Sequence, residues 1–501
     1  MFGRGLVVGL PFLCIAPHLA AQSPQPTRTP LVRVVDLALM ESTQVELCNG
    51  DKVVVKLLEV KETSDPVREA VRSARVKIEV DGRTVWLESA NYELPKAVGK
   101  VRVDCPIVRG YMRNSHRDPW QLKQDARLRL WPAGSPLVAP GTFVYPVKQR
   151  FFASATQMAN EPCYVNACDR PSVRKIYYHN GLDFGGCEAM TEVVSATDGL
   201  VVARGKEQLP GYEQTPVRPR HDVVYVLDSR GWYYRYSHLY EIDEAIHHGA
   251  TVRAGQRIGL IGKEGGSGGW AHLHFDVSSL QPSGEWGTQE AYAFVWEAYG
   301  RQYKPKLIAV ARPHHLTFVG EPIALDGSRS WSAAGENLRY DWTFTDGTTA
   351  QGKRVEREYS RAGYYSEVLK VTDAAGRVDY DFAIVHALDR DKPEPMPPAI
   401  HPVYEPTMGI RPGVEVTFKV RTFATTDGEE TWDFGDGSPT VTSKSDGNVD
   451  SHAADGYAVV THRYQSPGQY LVRVHRTDRL GRQAVGYLYV QVAEAARPQA
   501  P

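Results

Sequence analysis

Alternating hydrophobic and polar positions recur along most of the 501 residues and predict a chain built mainly of β-strands. Segments such as ARVKIEVDGRTVWLES and HLHFDV alternate with a period of two, and turn signals such as Asn-Gly and Asp-Gly stand between them. We expect one helix near residues 66–73 and another near residues 289–300. The pattern therefore predicts a mainly β, multidomain protein.

Changes in this pattern divide the chain into four predicted domains, in line with a length of 501 residues at about 150 residues per domain. Residues 31–140 form a small N-terminal β domain of unknown role, and residues 141–305 continue as strands that are dense in Gly and His. Residues 306–390 and 399–493 then repeat one pattern, Trp-x-Phe-x-Asp-Gly followed by strands, on either side of a Pro-rich linker. We interpret them as two copies of one β-sandwich module.

The first 21 residues have the layout of a secretory signal peptide. Arg4 supplies a positive charge, an apolar run follows, and small residues precede Gln22. A lipid anchor on Cys14 is disfavoured because bulky Leu13 precedes it. We expect a secreted, periplasmic or cell-envelope protein with no transmembrane segment once residues 1–21 are removed.

Five cysteines remain after that cleavage, and in an oxidising compartment they predict disulfides. Cys48 and Cys105 lie in the same domain and are natural partners. Two of Cys163, Cys168 and Cys187 can pair and leave one odd thiol, and a zinc site on these three is the alternative.

The charge balance excludes one class of partner. Lys plus Arg number 58 against 59 Asp plus Glu, a net charge of -1, whereas nucleic-acid binders carry a basic excess. The same neutrality gives no long-range attraction to an anionic surface. Targeting must therefore come from the modules or from a cleft.

Four of the sixteen histidines stand in patterns that suggest chemistry. His272 and His274 are two apart in a strand pattern, so both rings project from one face. His179 and Asp183 flank an Asn-Gly turn that folds the carboxylate back towards the imidazole, and His238 lies in another strand-like run. Two imidazoles and a carboxylate leave the open fourth position of a catalytic zinc site, and the absence of thiolate favours zinc.

The order of these motifs resembles the LytM/lysostaphin-type zinc metalloendopeptidases, which cut peptidoglycan. HNGLD, SHL, Gly-x-x-Val-x-x-Gly-Gln-x-Ile-Gly and Gly-x-x-x-His-Leu-His-Phe-Asp follow one another across residues 175–280. The resemblance implies a β-rich peptidase domain with Zn²⁺, liganded by His179, Asp183 and His274, with His238 and His272 as catalytic non-ligands. An insertion at residues 206–220 departs from the pattern and bears on substrate access.

The expected chemistry divides between the ion and the histidines. Zn²⁺ polarises a carbonyl and lowers the pKa of its water to about 7. A neutral imidazole accepts a proton and a protonated one stabilises the oxyanion, and we predict His272 as base and His238 as stabiliser. Tyr177 and Tyr236 are candidates for a further hydrogen bond, with core packing as the alternative.

The two repeated modules resemble PKD domains, whose WDFGDG signature the second copy matches and the first departs from at two small positions. The resemblance implies immunoglobulin-like sandwiches. We expect Trp342 and Trp432 in the cores, and Asp346 and Asp436 capping their turns rather than binding calcium.

The leading hypothesis is a secreted zinc endopeptidase that hydrolyses peptide bonds in peptidoglycan cross-links or stem peptides, positioned by its β modules. These modules are possible binders of a surface polysaccharide or protein. A catalytically silent activator and a surface adhesion protein are the alternatives, and the intact set of five residues disfavours the first.

Overall fold

A computed structural model describes residues 30–65, 69–89, 92–113, 115–156, 158, 162–163 and 176–494. The predicted signal peptide, Cys168 and the side chain of Cys163 lie outside what it describes, so the pairing expected between two of Cys163, Cys168 and Cys187 is described only for Cys187, a free thiol. In these ranges no helix combines the length and the apolar character needed to cross a membrane.

The first eight strands form two antiparallel four-stranded sheets, in the orders β1-β8-β7-β6 and β2-β3-β4-β5. Their bounds are β1 Arg33–Leu37, β2 Ser42–Glu46, β3 Lys52–Ser64, β4 Val71–Val80, β5 Arg83–Glu88, β6 Lys96–Val98, β7 Val101–Val108 and β8 Ala126–Pro132, with a short 3-10 helix at Arg109–Met112. The helix expected near residues 66–73 is wrong where the structure describes it. Residues from Val71 onward are strand because β4 pairs with β3 along its length.

The disulfide predicted between Cys48 and Cys105 is also wrong. Among the described residues, Cys48, Cys105 and Cys187 are free thiols. Cys105 lies on β7, 1% exposed, whereas Cys48 follows β2 in the other sheet. Membership of one domain was therefore not sufficient for pairing, because the two chain segments belong to different layers.

The next region surrounds an eight-stranded sheet with the order β11-β20-β16-β15-β13-β14, to which β18 and β21 add at the sides. A second sheet has the order β12-β19-β17. The bounds are β9 Pro162–Cys163, β10 Tyr177–Tyr178, β11 Leu182–Gly185, β12 Glu192–Val194, β13 Gly199–Arg204, β14 Glu207–Gln208, β15 Val224–Leu227, β16 Tyr233–Ser237, β17 Leu239–Ile242, β18 Thr251–Val252, β19 Arg257–Ile261, β20 His272–Leu280, β21 Trp286–Thr288 and α1 Tyr292–Tyr303. The helix predicted near residues 289–300 is confirmed, displaced by three residues.

Alternate residues of strand β20 face the hydrophobic core and the opposite side of the sheet. Leu273, Phe275 and Val277 are fully buried and belong to the central hydrophobic cluster. The intervening residues of the same strand, His272 and His274, therefore point to the opposite face. The apolar residues of β20 anchor the strand in the core, and the strand thereby presents its two histidines on the other face.

The last strands form two sandwich modules. Their bounds are β22 Leu307–Ile308, β23 His315–Phe318, β24 Ile323–Asp326, β25 Trp331–Ser332, β26 Leu338–Thr343, β27 Thr349–Gln351, β28 Arg354–Arg357, β29 Gly363–Asp373, β30 Val378–Leu388, β31 Ala399–Glu405, β32 Glu415–Phe423, β33 Glu430–Asp433, β34 Val441–Ser443, β35 Ala458–Arg463, β36 Gly468–Thr477 and β37 Gln483–Val492. One sheet runs through both modules in the order β23-β30-β29-β37-β36-β33-β34. Within this sheet the two modules are joined by a parallel pairing of β29 with β37.

The signature residues of the modules behave as predicted. Trp342 is 1% and Trp432 0% exposed, so both are core residues. Asp346 accepts the backbone N–H of Thr348 at 3.0 Å, and Asp436 accepts that of Ser438 at 3.1 Å. These carboxylates cap their own turns.

Candidate metal centre

Strand pairing brings the HxH strand against the predicted carboxylate. β11 and β20 are antiparallel with Asp183 opposite His274, and β16 pairs on the other side with Ser237 opposite His274. Asp183 and His274 are therefore held by two ladders of backbone hydrogen bonds. The side chains of Asp183 and His274 are 10% and 11% exposed.

The turn at Asn180-Gly181 brings His179 next to Asp183 and His274. Gly181 has φ +89, and a Cβ there would lie 2.7 Å from the Phe275 carbonyl oxygen. Only glycine accepts both the left-handed backbone and this close approach. The turn expected from HNGLD, rather than a helix, is therefore what carries the imidazole.

Three potential ligand atoms converge. His179 Nε2 lies 2.9 Å from His274 Nδ1 and 3.0 Å from Asp183 Oδ1. His274 Nδ1 lies 2.9 Å from Asp183 Oδ1, which closes the triangle. Of the described residues, these three form the group that can hold a metal ion.

The electrostatics of this triangle fit a divalent cation. Burial alone would raise the pKa of Asp183, but the neighbouring His179 and His272 and the hydrogen bonds from His179 and His274 hold it well below its usual range. Burial holds the pKa of His274 well below its ordinary value against the pull of Asp183. Ligand atoms of a tetrahedral zinc with bonds of about 2.0–2.1 Å stand about 3.3 Å apart, close to the separations found. The donor set is two imidazoles and a carboxylate, and it suits zinc.

The two remaining histidines lie beside this triangle with matching orientations. The ring centroids of His238 and His272 are 4.7 Å apart. His238 Nδ1 meets the Glu264 carbonyl at 2.6 Å, and His272 Nδ1 meets the Trp270 carbonyl at 2.9 Å. A carbonyl only accepts, so Nδ1 carries a hydrogen in both rings and Nε2 is the ring atom left for proton exchange.

His272 is placed to remain neutral. Its Nε2 lies 3.6 Å from Asp183 Oδ1. Burial lowers the pKa of His272 to about 4, more than the Asp183 charge restores. The structure thus brings together all five residues predicted from the sequence motifs.

Asp222 is a site residue that the sequence motifs did not identify. It is 1% exposed, and its Oδ2 accepts the backbone N–H of His238 at 2.9 Å. His238 has φ +67, a strained conformation for a residue with a side chain. Arg220, at the end of the 206–220 insertion, forms a two-point ion pair with Asp222. Although burial opposes ionisation, the hydrogen bonds from His238 and Arg220 lower the pKa of Asp222.

The two candidate tyrosines, Tyr177 and Tyr236, have different surroundings. Tyr236 is fully buried and its hydroxyl accepts the Ala196 N–H at 2.7 Å, so core packing describes it. Tyr177 lies beneath the Arg117 guanidinium, 4.6 Å from the ring centroid. Neither of these contacts is directed at the triangle.

Comparison with family models identifies three regions of the chain. Residues 177–284 match the model described as peptidase family M23. Residues 305–385 and 403–487 each match a model described as PKD domain. The M23 match contains the triangle, both further histidines and Asp222.

Several solved structures are similar to parts of the chain. A protein assigned as a glycyl-glycine endopeptidase LytM from Ruminococcus gnavus is 20% identical, with 32% of this chain and 61% of that protein covered and a TM-score of 0.22. Csd3 from Helicobacter pylori is 13% identical, with 52% and 81% covered and a TM-score of 0.20. Fibronectin(III)-like modules of Clostridium thermocellum CbhA are 10% identical, with 39% and 98% covered and a TM-score of 0.15. This chain spans less than two thirds of the length of the first of these proteins.

Proposed function

We propose that this chain, which contains a peptidase family M23 domain followed by two PKD domains, is a secreted zinc-dependent endopeptidase that hydrolyses peptide bonds in peptidoglycan. The observation that carries the proposal is the buried triangle of His179, Asp183 and His274, with edges of 2.9, 3.0 and 2.9 Å. Two further histidines beside it, with Nδ1 fixed by carbonyls, supply acid–base groups. A silent activator would need none of these features.

The roles follow from the surroundings of each group. A bound Zn²⁺ would supply Lewis acidity and an activated water at the triangle. His272, neutral because its pKa is lowered to about 4, is the proton acceptor in this proposal. His238, oriented by Asp222 and by the Glu264 carbonyl, stabilises the developing oxyanion or serves the leaving amine.

The proposal also specifies a cell-wall substrate and a location outside the cytoplasm. They rest on the M23 match, the export signal expected at residues 1–21 and the PKD domains. We propose that the PKD domains also contact a surface polysaccharide or protein. The near-zero net charge of -1 gives no electrostatic attraction to the wall, so these domains or the cleft must supply the contact.

Metal content and cleavage, measured together, test the function. Zinc per chain and the release of peptide fragments from purified peptidoglycan are compared for the wild type, His274→Ala and His272→Ala. We expect stoichiometric zinc and cleavage in the wild type, loss of both in His274→Ala, and retained zinc without cleavage in His272→Ala. The exposed His247→Ala is the matched control and should behave as wild type.

Two results would end the proposal. A metal-free wild type after growth in zinc, or cleavage that persists in both variants, excludes zinc-dependent hydrolysis at this site. Cleavage of a soluble wall peptide without cleavage of intact walls keeps the enzyme and removes the wall from the proposed substrates.

A further inference from the structure

The loop of residues 262–271, called here the glycine loop, contacts both non-ligand histidines. It joins β19 to β20 and supplies the Glu264 and Trp270 carbonyls that accept from His238 and His272. Five of its ten residues are glycine, which favours a flexible backbone. Within the loop, Ser267 Oγ accepts the Gly269 N–H at 3.1 Å, and contacts from outside the loop add to this.

The second PKD module makes those contacts. Asn448 Nδ2 donates to the Gly268 carbonyl at 3.1 Å, and Arg421 Nη1 donates to the Gly269 carbonyl at 3.0 Å. The approach is close, since a Cβ on Gly269, whose φ is +87, would lie 2.0 Å from Asn448 Oδ1. The module therefore contacts the backbone of the loop directly.

Two more groups of the module complete the contact. His452 Nε2 donates to the Gly265 carbonyl at 2.9 Å. The Tyr457 hydroxyl accepts the N–H of Ala271, the residue before His272, at 2.8 Å. The same hydroxyl lies 2.8 Å from His401 Nδ1, to which it donates.

An apolar contact lies beside these hydrogen bonds. The Trp270 ring stacks on Phe423 with centroids 4.1 Å apart and planes 9° apart. The module also makes a contact outside the loop, since Lys419 Nζ donates to the Glu188 carbonyl at 2.7 Å. Polar and aromatic contacts thus converge on one short loop.

We propose that Arg421, Asn448, His452 and Tyr457 are positioning residues of the peptidase site, acting through the glycine loop on His238 and His272. The second PKD module is then part of the catalytic unit as well as a binding module. This inference rests on the proposed function. It goes beyond it by assigning four residues outside the M23 match to turnover.

The metal ligands do not depend on this loop. Asp183 and His274 are held by the pairing of β20 with β11 and β16. Loosening the glycine loop should therefore disturb the imidazoles and spare the metal. A displacement of about 1 Å in a catalytic group can cost about 100-fold in rate.

Matched tyrosine variants of the full-length protein test the inference. Tyr457→Phe removes the hydroxyl that contacts the loop. Tyr404→Phe removes a buried hydroxyl of the same module that donates to the Tyr489 carbonyl at 2.6 Å. The double variant Asn448→Gly/His452→Ala loosens the loop from the module surface without touching the core, and His475→Ala is its control. The measurements are kcat and KM on a soluble cross-link peptide, zinc per chain, and ¹⁵N-histidine NMR of the Nδ1–H signals of His238 and His272.

We expect Tyr457→Phe and the double variant to lower kcat at least tenfold, with KM within twofold, zinc unchanged and the Nδ1–H signals shifted or lost. Both controls should resemble wild type. The inference is overturned if kcat stays within twofold of the controls, if zinc is lost in parallel with kcat, or if Tyr404→Phe causes the same loss. A wild type that binds zinc but cleaves nothing refutes the proposed function, and unchanged Nδ1–H signals in the variants would then refute the positioning role independently.

Discussion

Replacing His401 with Asn should change how stability depends on pH. His401 lies on β31 in the second PKD module and is fully buried. Burial, with a smaller effect from nearby His272, lowers the pKa of His401 to about 3. Its Nδ1 meets the Tyr457 hydroxyl at 2.8 Å and its Nε2 meets Thr156 Oγ1 at 2.6 Å. The ring is therefore held neutral by its surroundings.

The sign follows from where protons bind. Below a pH of about 6.5 the unfolded chain protonates this histidine while the folded chain does not until a pH of about 3. Acid therefore favours the unfolded state across this window, by about 1.4 kcal/mol per pH unit. His401 should cost about 2 kcal/mol of stability by pH 5 relative to pH 7, and about 4 to 5 kcal/mol over the whole window.

The assay is urea unfolding at pH 7, 6 and 5, followed by pulsed hydrogen exchange of the peptide 399–405 so that it reports this module. At pH 7, His401→Asn should be less stable by about 1–2 kcal/mol because it loses the Thr156 contact. By pH 5 that deficit should disappear, since Asn does not titrate. His247→Asn, at an exposed position, controls for the loss of a histidine as such. Parallel stability curves for His401→Asn and wild type would refute the reasoning.

Three other predictions follow from the same contacts. Asp222→Ala removes the carboxylate that holds the strained His238, and kcat on a soluble peptide should fall about tenfold or more while zinc per chain stays constant; an unchanged kcat would contradict the role. Chelation should lower the melting temperature in calorimetry and added Zn²⁺ should restore it, because an ion at about 1,000 times its Kd stabilises the fold by about 4 kcal/mol; insensitivity to chelation would count against a metal at the triangle. Glu430→Ala leaves Arg476, 0% exposed, without its 2.8 Å ion-pair partner, and the urea midpoint should report a loss of about 3–5 kcal/mol; a loss below about 1 kcal/mol would show that the pair is not needed.

Local patterns were sufficient for the strand content and for much of the site. The alternation of AHLHFDV places His272 and His274 on one face whatever the strand pairs with, and Asn180-Gly181 specifies its own turn. The helix expected near residues 66–73 failed because β3–β4 pairing, a tertiary interaction, decides the conformation from Val71 onward. Propensity over eight residues is weaker than a long hydrogen-bonded ladder.

Asp222 shows what a linear motif leaves out. It stands sixteen residues before His238, a separation with no periodic meaning. The two meet because β15 and β16 form a hairpin that returns the chain to its starting edge, with Val224 opposite Tyr236. Its partner Arg220 belongs to the insertion that departs from the family pattern. A residue whose role comes from an insertion and a hairpin cannot be found by matching motifs.

The interfaces between modules were the least predictable feature, and they bear most on function. Each module carries its own signature, which suggests independent domains joined by a Pro-rich linker. Yet Tyr457 belongs to the hydrophobic cluster centred on the peptidase sheet, while Ala155 and Trp270 pack into that of the second PKD module. In the sequence, Trp270 is an aromatic residue of a glycine-rich loop with no evident partner. Only the fold shows that its ring is stacked on Phe423. Because apolar clusters that cross a boundary couple the stability of both sides, a substitution in the second PKD module should be expected to reach the peptidase site.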